Sequence, residues 1–152
     1  CIAHCYPDAD VIVEEDGHVG HGVILHGCII GKNAMVGMNS VVMDHAVVGE
    51  NAIVGAMAFV KTAQEIPANH LAVGTPARIL RELSDQELQW KKEGTEVYQW
   101  LAMKNPELLK AVDAPLAEPE SDRKRLQMPE YDSLHLRRFN CNGYDVRSEI
   151  LS

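Results

Sequence analysis

The chain has 152 residues, a formal charge of −8 and only 5% aromatic residues. So acidic a chain argues against a nucleic-acid-binding face, and the one dense basic cluster, Arg123-Lys124-Arg125, is too short to change that. No apolar run reaches the ~20 residues of a membrane helix, and the first residues do not read as a secretory signal.

The four cysteines, Cys1, Cys5, Cys28 and Cys141, form no C-x-x-C pair. They read as reduced thiols of a cytoplasmic protein. The chain opens on Cys1 rather than methionine, so an N-terminal piece is expected to be absent from it. "IAHC" is a short extended stretch, and the run from Cys5 to Gly17 breaks the periodicity that follows. That run is expected to project as a loop, with Tyr6 and Glu15 as candidates to position a substrate.

"DGHVGHGVILHG" (residues 16–27) carries three histidines and four glycines. A helix is excluded there. His21 and His26 are five residues apart rather than the four of a helical metal pair, and each glycine costs a helix roughly 1 kcal/mol. Val19, Val23, Ile24 and Leu25 suit extended chain.

From Val19 a repeat runs through Leu25, Ile30, Val36, Val42, Val48, Val54 and Val60, in steps of 6, 5, 6, 6, 6, 6 and 6. Four residues after each aliphatic stands a smaller residue: Val23, Ile29, Ala34, Ser40, Ala46, Ala52, Ala58. Hexapeptide repeats mark a parallel β-helix. Each hexad gives one short strand and one turn. The aliphatic points into a narrow prism, the small residue fills a corner, and Asn33, Asn39 and Asn51 tolerate the turn. Three hexads close a triangular coil, so residue i stacks on about i+18. Asn39 then lies one coil from His21, either to bond a ligand or to make the turn.

After Val60 the period stops, and "EIPANHLAVGTPARILREL" reads as a last irregular coil. Ser84 and Glu87 form a capping box. Leu88, Lys91, Lys92, Thr95, Tyr98 and Leu101 follow at helical spacing, widened by Trp90, Val97 and Trp100, with Gly94 expected to weaken the middle. Residues 1–80 are thus expected to form a left-handed parallel β-helix, an all-β solenoid. Residues 81–112 are expected to form a C-terminal α-helix, and 113–152 a flexible tail.

"IAHC", "DGHVGHGVILHGCIIG", "MVGMNSVVMD", "VGENAIVGAMAFVK", "VGTPAR", "LSDQELQWKKEGTEVYQ" and "RKRL" together resemble the γ-class carbonic anhydrase-like group of left-handed β-helix proteins. Members from phenylacetate degradation and carnitine operons look nearest. The resemblance implies a homotrimer with a metal, zinc or another divalent ion, at each subunit interface. It implies His4, His21 and His26 as the ligands, His4 and His26 from one chain and His21 from its neighbour. Three neutral imidazoles and a water make an open catalytic zinc site, in which the water's pKa falls to about 7. The resemblance also implies an Arg, an Asp and a Gln near the metal in upstream coils, so this chain alone is expected to be weakly active or inactive. Glu14 departs from the glycine common in close relatives.

The expected function is hydrolysis of an acyl-CoA thioester in aromatic catabolism, with Tyr6, Glu15 and Asn39 as candidate catalytic residues. The alternatives are hydration of CO2 to bicarbonate, metal-free acyl transfer on one histidine base, and a non-catalytic trimeric accessory role.

Overall fold

A computed structural model describes residues 1–109. The tail from 113, the helix segment 110–112 and Cys141 lie outside the described residues. The chain divides into two units, Cys1–Lys92 and Glu93–Ser152.

The first unit is a solenoid of about four turns. Coil one holds β1 (Ile2–His4), β2 (Ile12–Val13) and β3 (His18–Val19). Coil two holds β4 (Ile24–His26), β5 (Ile29–Ile30) and β6 (Met35–Val36). Coil three holds β7 (Val41–Val42), β8 (Val47–Val48) and β9 (Ile53–Val54). Coil four holds β10 (Phe59–Val60), β11 (Glu65–Ile66) and β12 (His70–Val73), and β13 (Arg78–Glu82) folds back antiparallel to β12. Strands of successive coils pair in parallel into three faces: β1-β4-β7-β10, β2-β5-β8-β11, and β3-β6-β9-β12 with β13 at the edge.

The hexads explain this. Strands of two residues are too short to stand alone, so each depends on the coils above and below. Leu25, Ile30, Val36, Val42, Val48, Val54 and Val60 are all buried and form one column-like core with Ala34, Ala46, Ala52 and Ala58. Ser40 is also fully buried. Its hydroxyl donates to the Gly55 carbonyl at 2.9 Å and accepts from the Ala58 N–H at 3.3 Å, so its polar atom is satisfied.

The small-residue column needs one correction. Ile29 was expected at a corner, but it is half-buried, and Cys28 fills the corner at 0% exposure. The five-residue step is absorbed in the turn His26-Gly27-Cys28, which shifts the corner back by one residue. Cys1, Cys5 and Cys28 are free thiols. Burial pushes the Cys28 thiol up to about 11, so it acts as a small apolar filler.

The projecting loop is shorter than Cys5–Gly17. Ile12 and Val13 pair with Ile29 and Ile30, so the coil resumes there and only Cys5–Val11 leaves it.

The corner between β2 and β3 and its equivalents carries an asparagine ladder. Asn33 Nδ2 donates to Asn51 Oδ1 at 2.7 Å, and Asn51 Nδ2 donates to Asn69 Oδ1 at 3.0 Å. All three backbones are left-handed, at φ 52°, 57° and 59°, a conformation asparagine tolerates. Lys91 ends the ladder, donating from Nζ to Asn33 Oδ1 at 2.5 Å and to the Asp16 carbonyl at 2.7 Å. Burial lowers the Lys91 pKa to about 8.

The helix α1 runs Asp85–Leu108, starting four residues later than expected because residues 78–82 form β13. Glu87 and Lys91 are its buried positions in the first unit, while Lys92 is exposed, so the docked stripe there is polar. In the second unit the helix passes through Gly94 unbroken, and Tyr98 is exposed. A lone glycine costs only about 1 kcal/mol, too little to break a capped helix of this length. The capping box forms as expected: Ser84 N–H donates to Glu87 Oε2 at 3.0 Å, and Glu87 N–H donates to Ser84 Oγ at 3.4 Å. Arg81 adds a bidentate pair to the same carboxylate at 2.7 and 2.8 Å.

The Arg81 guanidinium and the Ser84 donors hold the Glu87 carboxyl at about 2 against an ordinary 4.5. A carboxyl depressed in the folded state stabilises above its unfolded pKa, and that stability is lost as pH falls through the folded value. Arg81 is exposed, so solvent screening leaves the pair a contribution well below what the shift alone implies. Urea unfolding of Glu87→Gln should show that deficit at pH 7 and a vanishing one between pH 4.5 and 2. A deficit that stays constant down to pH 2 contradicts the ion-pair account.

Candidate functional site

Two of the three expected ligands come together in one chain. β1 and β4 pair in register, with His4 opposite His26. His4 Nδ1 and His26 Nε2 share a hydrogen bond of 3.0 Å, and the ring centroids are 5.0 Å apart. These residues end their strands at the corner between the first and second faces. The loop Cys5–Val11 leaves the coil at that same corner, and Tyr6 returns over it. Its ring meets His26 edge-on at 5.0 Å.

Behind His26 stands Asp44, a residue whose role no local motif in the sequence marks. Asp44 Oδ1 lies 2.7 Å from His26 Nδ1, and both side chains are largely buried, at 15% and 19% exposure. The signal was available. Asp44 follows His26 by 18 residues, the same spacing that puts Asn39 beside His21.

His21 lies elsewhere. It opens the turn between β3 and β4, at the opposite edge of the first face, and is exposed. Its carbonyl accepts from the Asn39 N–H at 2.8 Å, so the coil stacking holds Asn39 next to it. Five residues at ~3.3 Å each separate His21 and His26 by up to roughly 16 Å. Two imidazoles on one zinc approach it to ~2 Å each. His21 precedes β4 and His26 ends it, so the two histidines stand at different corners of the coil. Among the described residues no cluster of three or more His, Cys, Asp or Glu side chains is in place to hold a metal.

The glycines beside the histidines have a shared physical cause. Gly27 has φ 54°, and a Cβ there would sit 2.7 Å from Asp44 Oδ1 and 2.8 Å from the Ala9 Cβ. Gly22 has φ 71°, and its Cβ would sit 2.0 Å from Asn39 Oδ1. Each glycine follows a histidine in a left-handed turn and leaves room for the polar side chain stacked from the next coil.

Glu15 lies at the third corner, beside the asparagine ladder. Its carboxylate pairs with Lys32 Nζ at 2.6 Å, in an exposed position. The coil resumes at Ile12, so Glu15 belongs to the turn after β2 and not to the loop over His26. His18 is half-buried, and burial lowers its pKa, with smaller contributions from Lys91 and His21. His45 is an exposed turn residue at φ 58°. His70 Nδ1 meets the Ala68 carbonyl at 2.7 Å.

The donor set fits a divalent ion in part. Two nitrogens sharing one tetrahedral zinc stand about 3.3 Å apart at ordinary Zn–N lengths, close to the 3.0 Å found here. A carboxylate behind a ligating imidazole is also the usual partner of metal-bound histidine. Without metal, the same Asp44–His26 pair has the arrangement of an oriented general base.

Changing Gly27 to Ala should displace Asp44 from His26 while the coil core survives. The measurable outcome is a changed His26 side-chain 15N spectrum with native circular dichroism. An unchanged spectrum would mean that Gly27 is not what lets Asp44 reach the ring.

Comparison with known proteins agrees with the fold and the repeat. Residues 27–62 match the family described as "Bacterial transferase hexapeptide (six repeats)". The carnitine operon protein CaiE of Salmonella dublin is 53% identical over 127 residues, covering 84% of this chain and 64% of the relative. The chain thus spans just under two thirds of the curated relatives it matches. A putative acetyltransferase of Bacillus cereus has a solved structure that is 37% identical, with a TM-score of 0.69, covering 70% of this chain and 62% of that one. A hexapeptide transferase family protein of Anaplasma phagocytophilum is 30% identical, with a TM-score of 0.62, covering 70% and 61%.

Proposed function

We propose that this chain, which is similar to hexapeptide-repeat transferases and to carnitine-operon proteins, forms a homotrimer with a divalent-metal hydrolase site at each subunit interface. The observation that carries this reading is the His4–His26 pair at 3.0 Å with Asp44 behind it. His4 and His26 would hold the ion from one subunit and His21 from the next. A divalent ion on three neutral imidazoles supplies an acidic water near neutral pH and a Lewis acid for a carbonyl.

The face between the two histidine corners supports subunit packing. Ile2, Ile24, Val41 and Phe59 stack in register along its outer side, and Ile2 is 61% exposed. Met38 and Met57 add exposed apolar surface at the His21 corner. An uncharged apolar strip of this kind suits the buried core of an interface. A cyclic trimer is built from heterologous contacts, so one corner meets the other corner of its neighbour. His21 is then delivered to the His4–His26 pair.

The chain's own residues divide the remaining work. Asp44 orients His26. Tyr6 covers one side of the pair and presents an exposed phenol to a substrate. The loop Cys5–Val11 gives an organic substrate something to rest against, which favours a ring-derived acyl-CoA thioester over CO2. Asn39 sits beside His21 and would reach the site from the neighbour. Glu15, on the third corner, has no part in this arrangement.

A second reading has its own support. Asp44 and His26 make an oriented base without any metal, and a solved relative at 37% identity is titled a putative acetyltransferase. On that reading His26 deprotonates an acceptor for acyl transfer.

Subunit mixing tests the proposal. His21→Ala and His26→Ala chains, each expected to lack zinc alone, are co-refolded at equal ratio. Roughly a quarter of interfaces should regain one intact half from each chain, with zinc content returning in that proportion. No recovery in demonstrated mixed trimers contradicts the shared site. Acyl transfer by a chelator-treated protein free of zinc would favour the second reading.

A further inference from the structure

His26 is held from both sides, and the two contacts determine where its proton sits. Nδ1 lies 2.7 Å from Asp44 Oδ1, and Nε2 lies 3.0 Å from His4 Nδ1. An ionised carboxylate can only accept, so the proton in the first contact is on His26 Nδ1. A neutral ring then has a bare Nε2. The second contact requires a donor, which must be the Nδ1–H of His4. With a neutral His26 ring, the Asp44–His26–His4 chain runs in one direction.

We propose that Asp44 is a positioning residue that locks His26 in the Nδ1–H form and makes Nε2 the working nitrogen of the site. This deepens the metal reading above and rests on it only for what Nε2 then binds. Asp44 is well placed to do so. Its own carbonyl accepts from the Ala63 N–H at 2.8 Å, so the next coil fixes its backbone. Gly27 leaves the space into which its carboxylate reaches. Tyr6 closes the ring edge-on from the loop side.

The test begins with metal-free protein carrying 15N-labelled histidine, compared with Asp44→Ala and the isosteric Asp44→Asn. Long-range 1H–15N spectra, with His26 assigned by substitution, report the tautomer directly. Wild type should show a protonated Nδ1 and a bare Nε2 on His26. Asp44→Ala should shift the ring toward the Nε2–H form, and Asp44→Asn, which keeps the volume, should give a mixed population. Zinc affinity is then measured by competition with a chromogenic chelator. Loss of a partner behind a metal-bound histidine typically weakens binding 10–100-fold, and that is expected for Asp44→Ala, with Glu50→Ala unchanged. A His26 tautomer that is the same in wild type and both variants overturns the proposal. So does unchanged affinity in variants of a zinc-binding wild type. A wild type with no zinc affinity overturns the metal reading instead, and the tautomer result then decides the role of Asp44 alone.

Discussion

The backbone ladder between successive coils is the constraint on which the molecule depends. Strands of two or three residues can pair only if each coil sits in register on the last. Residue i is then fixed above i+18, or above i+17 where the shortened turn intervenes. In the core this stacks Ile30 on Val48 and Val48 on Ile66. At the corners it stacks turn residues whose side chains have nowhere to go but onto one another. Asparagines at one corner become a hydrogen-bonded ladder. At the others the same rule brings His26 to Asp44 and His21 to Asn39.

The two histidine corners acquire different properties from this one rule. The corner at His26 receives a carboxylate from one side and, across the longer loop, His4 from the other. The corner at His21 receives only an asparagine. Both need glycine next to the histidine, because the stacked side chain occupies the position a Cβ would take. The opening motif of histidines flanked by glycine is therefore one structural solution used twice. What differs is the residue supplied by the neighbouring coil, and that difference separates a held imidazole from an exposed one.

Much of this was legible in the amino-acid order. The hexad phase from Leu25 to Val60 predicted the buried positions, since a period of six over that length leaves little freedom. The capping box at Ser84 and Glu87 predicted the helix start better than the domain boundary at 81 did. Three things escaped. Cys28 replaced Ile29 at a corner because a five-residue step does not say which residue of the turn is missing. The loop ended early, at Val11, because Ile12 and Val13 continue a face without continuing the spacing. Asp44 stands 18 residues beyond His26, but an aspartate at a turn corner is an ordinary turn former, and only the stacked coil shows that it faces the imidazole. The polar docking of α1 through Lys91 was also hidden, since a buried lysine with backbone and asparagine acceptors is indistinguishable in sequence from a solvated one.

The central claim is that coil stacking completes only two thirds of a three-histidine site in each chain and leaves the rest to a second copy. Diffraction from zinc-loaded crystals at the zinc absorption edge tests it most directly. The account predicts an anomalous peak at the corner of His4 and His26, within ~2.0–2.1 Å of both imidazoles and of His21 of a second subunit. A zinc held entirely by one chain, or one bound without His26, would contradict it.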